Sequence, residues 1–212
     1  ALGANTTGTD NTAVGKGALD ANTTANNNVA VGRDSMGSNT TGTQNTACGT
    51  ASLSSNTTAS NNTAIGHQAL TLNTTGTNNT SVGNDSLKVN TTGVSNVAVG
   101  AQALDAATTA NNNVAVGRDA GGSVTTGADN VIVGTFAGED LTTGSQNTFL
   151  GYLAGANMVS GSNSTFIGRR AGFTVNGSNN IAIGRSAFED ASSAAENNVV
   201  IGNAAGFNMT GD

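Results

Sequence analysis

At 212 residues the chain is long enough for one or two ordinary domains, but its composition excludes them. It holds 30 glycines, no proline and no tryptophan, with 3% aromatic and 9% charged residues, against a usual charged share of about a quarter. The net charge is −6, and Lys16, Arg33, Lys88, Arg118, Arg169, Arg170 and Arg185 are scattered. That leaves no basic footprint for nucleic acid, and the low charge also argues against plain disorder.

The chain is a repeat, which takes precedence over any other local signal. A glycine closes a short apolar run at 15, 32, 49, 66, 83, 100, 117, 134, 151 and 168, always 17 residues apart, and then at 184 and 202 after intervals of 16 and 18. The residue before each glycine is apolar: Val14, Val31, Cys48, Ile65, Val82, Val99, Val116, Val133, Leu150, Ile167, Ile183 and Ile201. Two residues earlier stands a β-branched residue such as Thr12, Val29, Thr63, Val97, Val131, Thr165 or Ile181. Strand side chains alternate, so these two share a face. The twelve apolar residues are expected to fill the core of each coil. The residue between them is small and uncharged at first (Ala64, Ser81, Ala98, Ala115) and large later (Ile132, Phe149, Phe166). A strand apolar on both faces is covered on both. Nothing else in the chain offers a cover, so these seven residues are expected to form a face between copies of the chain.

In the second half of the unit, Ala or Ser stands three after each glycine. The next residue is large in the early copies: Leu19, Met36, Leu53, Leu70, Leu87 and Leu104. It then becomes Gly121, Gly138, Gly155 and Gly172. Three positions on, Asn22, Asn39, Asn56, Asn73 and Asn90 give way to Ala107, Val124, Leu141, Met158 and Val175. Such an exchange of bulk fits two positions that reach one interior volume. It divides one continuous solenoid into residues 1–118, of the Ala-Leu and Asn-Thr-Thr subtype, and 119–212, of the Ala-Gly subtype that holds all six Phe. The predicted fold is an all-β parallel solenoid, a β-roll of about twelve 17-residue coils, rising roughly 4.8 Å per coil. Gly, Asn and Thr dominate without a 3.6-residue period, which excludes long helices. No apolar run is long enough to span a membrane as a helix.

The remaining positions read as turns. Asn recurs at each strand start, with Ser164 the one exception. It bonds its own turn, and identical amides stacked at one coil spacing form ladders. The Asn-Thr-Thr triplets at Asn5, Asn22, Asn39, Asn56, Asn73 and Asn90 match the glycosylation sequon, but a repeated turn produces the same match. Thr23-Thr24, Thr40-Thr41 and their successors form threonine ladders, which keeps open a monomeric solenoid binding ice or glycan through a Thr/Asn face. His67 is the only histidine, on a turn, and Cys48 stands alone at an apolar position. No nucleophile–base pair, metal-ligand set or phosphate loop assembles, so no enzyme activity, cofactor or metal is expected.

The recurring Asn-Val-Ala-Val-Gly of Asn96 to Gly100, with Ala103-Leu104 after it, resembles the head repeats of trimeric autotransporter adhesins. It is similar too to repeats in phage tail-fibre and related bacterial fibre proteins. The resemblance covers nearly the whole chain. It implies a parallel β-roll, left-handed in the adhesin heads, with three chains side by side in a rod. It further implies an extracellular place on a cell surface or virion fibre, and a shaft or head segment serving adhesion or host recognition. Ala1-Leu2 matches Ala18-Leu19, and Asp212 falls within a unit, so the chain reads as a segment of a longer one. A receptor or glycan on the host would then meet regions outside it.

Overall fold

A computed structural model describes residues 1–209. These residues form twelve three-residue strands, from β1 (Thr12–Val14) to β12 (Val199–Ile201), in one parallel sheet whose spatial order is the sequence order. No α-helix occurs among the described residues. Each strand pairs only with those before and after it, so the chain winds as a solenoid with one strand per coil. Register is constant: Thr63 lies opposite Thr80, Ala64 opposite Ser81, Ile65 opposite Val82. It survives the irregular intervals, for Thr165 pairs with Ile181 and Ile181 with Val199. The missing and extra residues are therefore absorbed in the turns.

Hydrogen bonds between coils run well beyond the strands. Leu70 N–H donates to Ser86 O at 3.0 Å, Leu72 N–H to Lys88 O at 3.1 Å, and Thr74 N–H to Thr91 O at 3.0 Å. The turns are thus stacked in register and satisfy one another's backbone groups, as a thin fold with little core requires. The closing glycines have φ between 126° and 144°, a region essentially closed to side-chain-bearing residues. A Cβ on Gly66 would also run into the carbonyl of Gly83 in the next coil. One residue type satisfies both conditions, which is why the period is read most clearly from glycine.

The structure reverses the expected faces. Val14, Val31, Cys48, Ile65, Val82, Val99, Val116, Val133, Leu150, Ile167, Ile183 and Ile201 do not fill the core. They point outward and are half-buried to exposed, reaching 58% exposure at Val14 and 64% at Ile201. Ala64, Ser81, Ala98, Ala115, Ile132, Phe149 and Phe166, expected between chains, are the inward residues, each 0% exposed. The physical reason is the width of the coil. In the early coils the interior is taken by the residue four after the glycine, such as Leu53 or Leu70, also 0% exposed. Only Ala or Ser then fits at the strand centre, and the bulkier β-branched residues stand outside. Cys48 is accordingly an exposed thiol, not a small core hydrophobe.

The later coils are filled differently. Phe149 and Phe166 enter from the strand centre and stack with centroids 5.2 Å apart and planes 9° apart. A Cβ on Gly138 or Gly155 would stand 2.9 Å from the Phe149 ring. Val124, Leu141, Met158 and Val175 complete this interior at 0% exposure. Three positions exchange bulk, not two: strand centre, fourth and seventh after the glycine. The fourth position is also left-handed. Leu19, Met36, Leu53, Leu70, Leu87 and Leu104 hold φ between 47° and 54°, and Gly121, Gly138, Gly155 and Gly172 lie between 54° and 61°. Leucine is strained there and glycine is not.

Two amide ladders run through the interior. Along the first, Asn62 N–H donates to Asn45 Oδ1 at 3.0 Å and Asn79 N–H to Asn62 Oδ1 at 3.0 Å. Ser164 keeps it going: its N–H donates to Asn147 Oδ1 at 3.0 Å, and its hydroxyl accepts from Asn180 N–H at 3.2 Å. The second belongs to the early coils. Asn73 Nδ2 donates to Asn56 Oδ1 at 3.0 Å, and Asn90 Nδ2 to Asn73 Oδ1 at 2.9 Å. It ends at Asn90, whose Oδ1 is buried without a hydrogen-bond partner because the next coil carries Ala107.

Candidate functional site

With the strand centres turned inward, the outward sheet face carries the first and third residue of every strand. The first rank is Thr12, Val29, Thr46, Thr63, Thr80, Val97, Val114, Val131, Thr148, Thr165, Ile181 and Val199. The third is the row of twelve apolar residues from Val14 to Ile201. No position in either rank is charged. The face is most apolar where both ranks are aliphatic: at Val29 with Val31, then in three successive strands at Val97 with Val99, Val114 with Val116 and Val131 with Val133, and again at Ile181 with Ile183 and Val199 with Ile201. Val131, Leu150, Ile181 and Val199 are 43%, 46%, 37% and 68% exposed. A continuous apolar strip along a whole solenoid exceeds the scattered apolar residues that ordinary surfaces carry.

A second exposed feature is threonine. In each Asn-Thr-Thr turn the first hydroxyl is used between coils, as Thr74 Oγ1 donates to Thr91 O at 3.0 Å. The second Thr is exposed, so Thr24, Thr41, Thr58, Thr75 and Thr92 form one outward rank, which Thr109, Thr126 and Thr143 continue in coils where Ala, Val or Leu replaces the Asn. The Asn of each triplet that is committed to the interior ladder, Asn22 through Asn90, is buried, which closes it to a glycan. Asn5 alone is exposed, in the first coil.

His67 is an exposed turn residue. Among the described residues no three His, Cys, Asp or Glu side chains gather as a metal site, and no helix is long and apolar enough to cross a membrane. The acidic residues Asp85, Asp105 and Asp119 draw near one another on successive turns. Burial, and then the Asp119 carboxylate, push the Asp105 carboxyl above its ordinary value.

The sequence reading singled out the strand residues but put them on the wrong faces. The available signal was size compensation. The strand centre enlarges to Ile or Phe where the fourth position becomes glycine, which ties the centre to the interior. No known family, curated protein or solved structure matches the chain.

Proposed function

We propose that the chain is a structural segment of a homotrimeric fibre, on a cell surface or a virion, that serves adhesion or host recognition. The observation that carries this reading is the uncharged outward sheet face, with Val99, Val116, Leu150 and Ile201 each exposed by a third or more. Covering it with further copies removes apolar surface from water at roughly 25 cal/mol per Å², and cyclic symmetry repeats the gain in each subunit. Three copies are the number implied by the resemblance to adhesin heads and tail fibres. The solenoid then acts as a stiff spacer or a lateral binding surface, with no catalytic step.

Val99→Asp with Val116→Asp tests the reading. Both positions face outward, so the chain keeps its fold, and each carboxylate would be desolvated between copies. We expect a trimer for the wild type at micromolar concentration by size exclusion with light scattering. The double variant is expected to be a folded monomer, and Gln68→Asp on a turn to remain trimeric. A monomeric wild type would overturn the trimer. A second reading is favoured by the exposed Thr rank together with Thr46, Thr63 and Thr80 on the sheet: a monomer that binds ice, detected as thermal hysteresis.

A further inference from the structure

The arginines of the last coils stand together, whereas Lys16 is a lone exposed cation and the remaining three each have an acidic partner nearby. Arg33 pairs with Asp34 at 2.8 Å, Lys88 with Asp85 at 3.2 Å, and Arg118 with Asp119 at 3.6 Å. Each of these charges is neutralised within its own turn. Arg169 and Arg185 are not. Each follows a closing glycine, and the pairing of Ile167 with Ile183 sets them in the same column of adjacent coils. Both are exposed, and among the described residues neither has a carboxylate within ion-pair distance. Two guanidinium groups one coil apart repel unless an anion lies between them.

The third arginine of the group is fixed from below. Arg170 lies over the Phe173 ring, its Cζ 4.0 Å from the centroid, and ion-pairs with the buried Glu189. Glu189 is thereby occupied and does not neutralise the outer two. Arg169, Arg170 and Arg185 line one open pocket with Glu189, Asn203 and Phe207. Asn203 continues the Arg169–Arg185 column, and Phe207 is 48% exposed. Tyr152 stands in that column one coil earlier, 44% exposed, its ring centroid 5.8 Å from the Arg169 Cζ. The concave surface therefore holds three cations against one anion in a chain of net charge −6. Accessible aromatic rings flank it and a side-chain amide lies within it.

We propose that this pocket binds an acidic saccharide, its carboxylate or sulfate groups held by Arg169 and Arg185 and its sugar rings packed on Phe207 and Tyr152. Guanidinium forks match carboxylate and sulfate oxygens in pairs, and the exposed aromatic faces suit the apolar faces of pyranose rings. The one-coil spacing of the two arginines is of the same order as the advance per sugar in an extended polysaccharide. Nucleic acid fits less well, since only these three of the seven cations cluster and the chain as a whole is acidic. The site lies within single chains and does not rest on trimer formation.

Calorimetric titration of the full chain with a heparin hexasaccharide, with hexagalacturonate and with neutral maltohexaose tests the proposal. We expect at least one acidic oligosaccharide to bind, more weakly as salt is raised, and the neutral one not to bind. The arm that binds tells sulfate from carboxylate. Arg169→Ala with Arg185→Ala should lower that affinity by about tenfold or more, with the circular dichroism spectrum unchanged. Arg33→Ala, on a distant turn, should leave it as it is, and so should Val99→Asp whether or not it dissociates the assembly. The proposal is overturned if neither acidic oligosaccharide binds, if the double arginine variant binds as the wild type does, or if inorganic sulfate or single-stranded DNA binds as tightly as the better saccharide.

Discussion

The coils around Leu70 and those around Phe149 share one backbone path and one register, yet they are filled in opposite senses. Around Leu70 the bulk comes from the turn, the strand centre is Ala64, and Asn73 supplies polar contacts. Around Phe149 the bulk comes from the strand, the turn is reduced to Gly138 and Gly155, and Leu141 and Met158 replace the amide ladder. The difference shows that the backbone hydrogen bonds between coils specify the shape. The interior volume must be filled once, and which of three positions fills it is free. The early solution accepts a leucine in left-handed backbone and offsets it with buried amide bonds. The later one removes that strain and gains an aromatic stack.

Phe149→Ala should break the later solution most severely. It leaves a cavity between two glycines that cannot close it and should cost about 3–5 kcal/mol, read from chemical denaturation. The converse change sharpens the comparison. Ala64→Phe collides with Leu53 and Leu70 and should be destabilising by about 1–3 kcal/mol or more. Adding Leu53→Gly and Leu70→Gly should recover stability, since these are the positions that glycine occupies on either side of Phe149. If the triple variant is no more stable than Ala64→Phe alone, the two interiors are not interchangeable.

The polar half of the comparison carries smaller effects. Asn73→Ala removes bonds to Asn56, Asn90 and Gly76 and strands buried groups, for about 1–3 kcal/mol. Ala107→Asn extends the ladder by one step to the orphaned Asn90 Oδ1, and thermal melting should show a gain of about 1 kcal/mol. The smallest effect is at Asp105, beside that junction. Its folded pKa lies above the unfolded one, so its contribution is fully present below the ordinary carboxylate range and is lost as pH rises through the raised value. Asp105→Asn should therefore raise the melting temperature slightly at neutral pH and leave it nearly unchanged near pH 4.

The period and the parallel strands were legible because each has a local cause. Glycine is required where coils approach, Asn where the turn needs an amide, and β-branched residues where the strand runs. The inside and outside of a three-residue strand were not. With apolar residues at all three positions, alternation says which side chains share a face but not which face is the lumen. Val99 is larger than Ala98, and size alone points the wrong way. The lumen is decided by Leu104, which lies on another side of the coil. The arginine pocket was illegible for a different reason. Arg169 and Arg170 are adjacent in sequence, but Arg185 joins them only because the 16 residues between Arg169 and Arg185 make one coil.

The constant pairing of each strand with its immediate neighbours has a kinetic consequence. Every strand pair closes a loop of 16 to 18 residues, so the entropy lost in adding a coil is nearly the same at each step and does not grow with chain length. Once a few coils have formed, each further one has a complete template of backbone donors and acceptors on which to condense. Folding is then a zipper propagating from a nucleus at any point along the rod, and the time it takes rises roughly in proportion to the number of coils. A rod built this way can be lengthened by whole units without slowing any single step of its assembly.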